Sequence, residues 1–223
     1  MNTKSFLPLL DHGFIRLVDS MGTDLSVVRA ARVSHDAAWR AGEDEKGDEK
    51  LIRYLWKNRH TTPFEAVQFT FEVKAPIFVF RQWHRHRTMS YNELSARYRE
   101  LPEEVYMPDF RAQSSKNKQG SEGAISGTDA RNMELSFKAS YQQSFEAYRT
   151  ALKLGVAREI ARSVLPVATY SHMFASVNLL NLFRFLTLRC DSHAQYEIRV
   201  YADAMKELIR PIVPVCLSAW EGT

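Results

Sequence analysis

The stretch RQWHRHRTMSYNELSARYRE, residues 81–100, carries five arginines, two histidines and no lysine, and it directly follows the apolar run APIFVF. A guanidinium grips phosphate or carboxylate through two parallel N–H donors, whereas a face that only keeps a protein in solution normally mixes in lysine. Phe80, Trp83, Tyr91 and Tyr98 adjoin the charges, and Ser90, Asn92 and Ser95 are interleaved with them, a donor set suited to an anion pocket. A solvated basic face is the plain alternative. A second constellation is TLRCDSHAQYE, residues 187–197. On a continuous helix Arg189 and His193 would share one face, with Asp191 and Glu197 nearby. A salt-bridge network at a helix junction would use the same residues. A third piece, RHTTPFEA at residues 59–66, sets His60, Thr61 and Thr62 before Pro63, and alone it reads as a capped turn.

Rival chemistries are less well supplied. His84 and His86 form an HxH pair that would project from one side of a strand, but no third ligand lies nearby, so no metal site is expected. Ser95 sits in NELSARY rather than in a strained GxSxG turn, and a hydroxyl without an adjacent base is a poor nucleophile. Cys190 and Cys216 make neither a zinc quartet nor a disulfide framework, which fits a reducing compartment. Arginines interleaved with aromatics also suit single-stranded nucleic acid, yet the net charge is only +4 and no second basic stripe is evident.

The supporting elements follow from composition and period. With 223 residues, 45% of them hydrophobic, the chain can enclose one good core, and a single domain spanning 1–223 is expected. TDLSVVRAARVS predicts a helix capped by Thr23 or Asp24, with Leu25, Val28, Ala31 and Val33 as its apolar stripe. A polar run leads into a helix that groups Leu51, Tyr54, Leu55 and Asn58. VQFTFEV alternates strictly and predicts a half-buried strand. Pro76 suits the first turn of a helix, PIFVFRQWHRH. Residues 111–131, rich in Ser, Gly, Lys and Asn, predict a mobile surface loop.

Beyond it, a helix from about Asn132 to Leu154 ends at Gly155, and a shorter one in VAREIARSVLP ends at Pro166. VATYSHMFASVN predicts a strand, Asn178 caps LLNLFRFLTLR, and a closing helix covers Ala194 to Ile212. Helices outnumber strands without βαβ alternation, so the fold class is α+β, helices packed on a small, mostly antiparallel sheet. No run approaches the roughly 20 apolar residues of a membrane span, and the start lacks a signal-peptide pattern, so a soluble, cytoplasmic protein is expected.

Together the three pieces resemble one family. RHRTMSYNELS, an RHR followed by seven residues and a serine and continued by ARY, resembles the signature of the flavin-dependent thymidylate synthases. HTTPFE, VKAPIFVFRQW, AREIARSVLP and LRCDSHAQYEI extend the likeness from GFIRLVDSMGTDLSVVRAARVS to the last helix, leaving 111–131 and the termini outside it. The resemblance implies reductive methylation of dUMP to dTMP, with methylenetetrahydrofolate as one-carbon donor, FAD as hydride and methylene carrier and NADPH as reductant. No enzyme nucleophile attacks the uracil ring, which agrees with two cysteines that lie outside any Pro-Cys-His context.

By the same resemblance Arg189 contacts the uracil edge and stabilises the negative charge that develops as N3 loses its proton. Gln82, Arg85, Glu93, Ser95, Arg97 and Arg162 complete the dUMP site, Arg162 from a neighbouring subunit. His60, Thr62, Arg85, His86, Arg87, Glu93, Asn178, Arg184 and His193 line the FAD site. Leu180 and Arg184 stand where some relatives carry Arg and Asn, so the contacts there must differ. The family's homotetramer shares active sites between subunits, placing the arginine-rich face at an interface, and neither nucleic acid nor membrane is an expected partner. A flavin-binding redox protein or a single-stranded nucleic-acid binder is the alternative reading.

Overall fold

The computed structural model of the chain describes residues 6–222. Its centre is the strand foreseen from VQFTFEV. In β3 (Gln68–Pro76) the residues Phe69, Phe71, Val73 and Ala75 alternate onto one face and are 1% exposed or less. β7 (Tyr170–Asn178) pairs antiparallel along the whole of β3, setting Phe71 opposite Ala175 and Val73 opposite Met173, so large and small side chains alternate across the pair. β2 (Gly13–Met21) and β1 (Phe6–Leu9) extend the sheet beyond β3, and β4 (Ser90–Glu93) adds to the far edge of β7. Every strand pairing among the described residues is antiparallel.

Helices cover the Phe71 face. α1 (Asp24–Arg32), α2 (Glu45–Lys57), α3 (Ile77–Trp83), α6 (Leu179–Arg189), α7 (Tyr196–Ile209) and α8 (Pro214–Glu221) contribute Val28, Ile52, Trp83, Phe183, Tyr201 and Leu217 to one apolar cluster with the sheet. Removing that surface from water is the main term holding the sheet to the helices. α4 (Gly127–Lys153), 27 residues long, and the short α5 (Arg158–Ala161) pack separately around Phe145, Tyr148 and Ala161. This is the expected α+β arrangement.

Two ends are fixed by long-range polar contacts. The Asp24 carboxylate, at the start of α1, accepts from the Val215 and Cys216 amides at 2.9 Å and so caps α8 from the far end of the chain. Gly13 allows the β1–β2 turn to approach Tyr201, whose hydroxyl donates to the Lys74 carbonyl at 2.7 Å. A Cβ on Gly13 would meet that hydroxyl at 2.2 Å.

Several elements differ from the sequence reading. Residues 111–131 are not a featureless loop: β5 (Arg111–Gln113) and β6 (Ser121–Ala124) form a hairpin, and α4 starts at Gly127 rather than Asn132. The Gln113 carboxamide donates to the carbonyls of Lys118 and Gly120, a side-chain substitute for the apolar contacts these strands lack. Pro76 ends β3, and the helix runs only from Ile77 to Trp83, so His84 and His86 lie in the turn that follows and not on a strand. In α2 the buried residues are Asp48, Ile52 and Leu55, while Tyr54 and Asn58 face outward. In α1 they are Val27 and Val28, while Val33 is exposed. The helix expected from Ala194 to Ile212 runs from Tyr196 to Ile209, and Pro214 starts a further helix that was not expected.

Candidate active site

α6 is an apolar helix with a polar group at each end. The Asn178 side chain accepts from the Asn181 amide at 2.9 Å and opens it, and Arg189 is its last residue. Leu180, Phe183 and Leu186 bury it in the core, and Phe185 packs on both Trp83 and His86, with ring centroids 5.0 and 4.7 Å away. Those contacts bring the end of α6 to the end of α3. Arg189 Nε then donates to His86 Nε2 at 3.0 Å, Nη2 to the Gln82 carbonyl at 3.2 Å and Nη1 to Gln82 Oε1 at 3.4 Å. The guanidinium is seated by three acceptors, none of them a carboxylate.

His86 stays neutral in this setting. Burial, and then the adjacent Arg189 charge, push its pKa down to about 4, so Nε2 is free to accept. Burial also lowers the Arg189 pKa from its ordinary value, although a guanidinium keeps its proton at any physiological pH. The turn carrying His86 is pinned by Tyr91, whose hydroxyl reaches the carbonyls of His86 at 2.8 Å and Trp83 at 3.0 Å and whose pKa burial raises to about 12.

A cavity of about 560 Å³ opens on the other side of α3, where Arg81, His84, Glu93, Arg162 and Ser171 converge. Glu93 Oε1 accepts from Ser171 Oγ at 2.7 Å, and Arg97 Nε meets Glu159 at 3.2 Å at the cavity wall. Ser95 Oγ accepts from the Arg97 amide at 3.3 Å and has no side-chain base beside it, so it can bind but not attack. Neither thiol offers a nucleophile: burial raises both, Cys190 to about 12 and Cys216 further.

His60 and Thr62 line a different cavity, of about 760 Å³, together with Arg32, His35 and Arg59. Arg184 is exposed and donates to Asn181 Oδ1 at 3.0 Å, beside the start of α6, while Leu180 is 4% exposed and packs in the core. Arg85 and Arg87 are exposed and, among the described residues, neither forms an ion pair or side-chain hydrogen bond. In the wall of the His60 cavity, Arg59 with the hydroxyls of Ser34, Thr61 and Thr62 and the imidazoles of His35 and His60 is a donor set that fits an anionic cofactor such as FAD, and Arg85 and Arg87 lie outside that wall.

One expected pairing fails. Because α6 ends at Arg189 and Cys190 caps it, Arg189 and His193 do not share a helix face. His193 is exposed and its Nδ1 lies 2.8 Å from Asp191 Oδ1. The chain thus joins Gln82, His86 and Arg189 in one cluster, Glu93, Arg97 and Arg162 around a second, and His60 and Thr62 around a third. The sequence reading missed Arg81 and His84 as cavity walls, although both stand in the arginine-rich stretch. It also missed Gln195, whose Oε1 accepts from Gln82 Nε2, although it stands in the quoted stretch LRCDSHAQYEI.

Comparison with known proteins is consistent with this arrangement. Residues 16–215 match the family described as Thymidylate synthase complementing protein, Thy1. The chain is 49% identical over 216 residues to a flavin-dependent thymidylate synthase of Thermus thermophilus, covering 96% of this chain and 78% of that one. It is 44% identical over 208 residues to one of Pseudothermotoga lettingae, covering 93% and 90%. Among solved structures, the UMP/dUMP methylase PolB from Streptomyces cacaoi, bound with 5-Br dUMP, superposes with a TM-score of 0.88 at 39% identity and 97% coverage of both chains. From the RHR signature, the seat of Arg189 and these likenesses, the chain belongs to the flavin-dependent thymidylate synthase family.

Proposed function

We propose that this chain methylates dUMP to dTMP, and that the reaction draws its one-carbon unit from methylenetetrahydrofolate and its electrons from NADPH through FAD. The observation that carries the reading is the three-acceptor seat of Arg189, which leaves a cation with no carboxylate to neutralise it. Such a group, already oriented, costs no reorganisation when negative charge develops on a substrate.

When bound, FAD supplies the hydride and relays the one-carbon unit. Arg189 faces the uracil edge and stabilises the ring as N3 gives up its proton, which raises electron density at C5. Gln82 orients both the guanidinium and the base. His86, neutral, accepts from Arg189 without adding a competing cation. Arg97 and Arg162 hold the phosphate, Ser95 donates to it, and Glu93 accepts from the ribose hydroxyl while Ser171 fixes its carboxylate. Arg85 and Arg87 pair with the cofactor's anionic part, and His60, Thr62, Asn178, Arg184 and His193 complete its surroundings.

The second and third clusters line cavities that share no residue, and the reading takes from the family a homotetramer whose active sites close between subunits. Among the described residues no helix is long and apolar enough to cross a membrane. The test is anaerobic turnover of dUMP with methylenetetrahydrofolate and NADPH. Formation of dTMP with tetrahydrofolate supports the reading. Dihydrofolate as coproduct, or no dTMP from flavin-loaded enzyme, overturns it.

A further inference from the structure

Glu197 is 1% exposed, yet it belongs to none of the ligand-facing groups described above. Its Oε1 accepts from Arg111 Nη2 at 2.6 Å and from the Tyr106 hydroxyl at 3.1 Å, and its Oε2 accepts from Gln195 Nε2 at 2.8 Å. The chain of contacts continues. Gln195 Oε1 accepts from Gln82 Nε2, and Gln82 Oε1 accepts from Arg189 Nη1 at 3.4 Å.

The two ends of this chain fix its direction. A carboxylate only accepts and a guanidinium only donates, so each carboxamide between them must present nitrogen toward Glu197 and oxygen toward Arg189. Turning either amide over would set two donors, or two acceptors, against each other. The seat of Arg189 is therefore specified from a buried carboxylate, through side chains of α3 and the α7 entry. Arg111, at the root of the β5–β6 hairpin, supplies the charge that allows Glu197 to be buried there, and it also stacks over the Tyr196 ring at 5.4 Å.

We propose that Glu197 and Gln195 are positioning residues for the methylation: they aim Arg189 through Gln82, and Arg111 couples the hairpin to that aim. The inference rests on the reading of Arg189 given under Proposed function. It assigns the hairpin a part in catalysis, though its own residues stand apart from Arg189 in the chain.

The experiment compares flavin-loaded parent enzyme with Gln195→Met, which keeps the length of the side chain and removes both its donor and its acceptor, and with Arg111→Lys and Arg111→Met. For Gln195→Met, kcat falls about tenfold, as for a misaimed pre-oriented donor, while KM for dUMP stays within about threefold. The flavin absorption band stays at its parent position, and the melting temperature falls modestly, because Gln195 itself is exposed but Glu197 Oε2 loses its donor. Arg111→Lys retains more of kcat than Arg111→Met, since it keeps the charge beside Glu197. Gln195→Met leaves the apolar core and the Arg111–Glu197 ion pair through Oε1 in place, so the test stands whether or not Arg111→Met folds. A kcat for Gln195→Met within about twofold of an active parent overturns the relay alone. A flavin-loaded parent that makes no dTMP overturns the reading of Arg189 and the relay with it.

Discussion

Replacing Arg189 by lysine keeps a positive charge and removes the shape that places it. In the structure three different nitrogens meet three acceptors, His86 Nε2, the Gln82 carbonyl and Gln82 Oε1. A lysine ammonium is one nitrogen on a flexible stem, and from this backbone position it can satisfy one of those acceptors at a time. Hydrogen bonds from a charged donor contribute about 1.5–3 kcal/mol each, and Arg189 is only partly buried, so solvent screening brings the loss of two toward the lower end. A single pre-oriented donor in an active site is worth about a hundredfold or more in kcat. At about 1.36 kcal/mol per decade, a hundredfold is about 2.7 kcal/mol, and the two routes agree. Arg189→Lys should therefore lose about a hundredfold in kcat, with flavin content unchanged and dUMP still bound through the residues at the phosphate. The assay is anaerobic dTMP formation from dUMP, methylenetetrahydrofolate and NADPH, with flavin content read by absorbance and dUMP affinity by calorimetry. A kcat within about threefold of the parent in flavin-replete Arg189→Lys would refute the argument.

Four further outcomes follow from the same structure. His86 has a folded pKa near 4, below its unfolded 6.5, so its neutral form contributes stability that is present above pH 6.5 and is lost as pH falls toward 4. Protonation there also sets a cation against Arg189, so kcat should fall on the acid side with a midpoint near 4. His86→Gln, which accepts without titrating, should flatten that limb in a pH–rate profile; an unchanged limb counts against the assignment. Arg162→Ala should raise KM for dUMP far more than it lowers kcat, as expected for a phosphate contact made equally in ground and transition states, and a pure kcat effect in steady-state kinetics would contradict it. Asp24→Ala leaves two amides of α8 without their acceptor and should cost about 1–2 kcal/mol in urea unfolding, whereas a loss under about 0.3 kcal/mol would mean water replaces the cap at no cost. Gly13→Ala drives a methyl against Tyr201 and two carbonyls and should lower the melting temperature by several degrees, about 1–3 kcal/mol; a parent-like thermal transition would show that the turn gives way easily.

The parts of the fold that were legible are those where one side-chain period acts alone. β3 reads cleanly because its Phe71 face is core and its Thr70 face is not. β2 was not read as a strand, since its register shifts between Leu17 and Asp19 and a bulge breaks the alternation on which such a reading depends. β4 has one aromatic in four residues and is a strand only because the edge of β7 captures it. The hairpin at 111–124 is held by Gln113 and Glu122 side chains reaching backbone groups, a signal that composition reads as loop. At the site, the arginine-rich stretch was visible as chemistry from residue type alone. The Arg189–His193 spacing misled because a helix end, set by Cys190, falls between them. Glu197 was noticed as a neighbour of Arg189 in sequence, but its burial and its tie to Arg111, 86 positions away, depend on tertiary packing that no local pattern records.

α6 sets Asn178 and Arg189 at opposite ends of 11 helical residues, a span of about 16 Å. It therefore works as a measuring rod between Asn178 and Arg189, and its length matters as much as the six buried apolar side chains that seat it in the core. Inserting one residue would advance the far end by about 1.5 Å and swing it by about 100°, carrying the guanidinium off His86 altogether. Drift among relatives should accordingly be free in loop lengths and in the polar positions of this rod, and closed to any change in its number of residues.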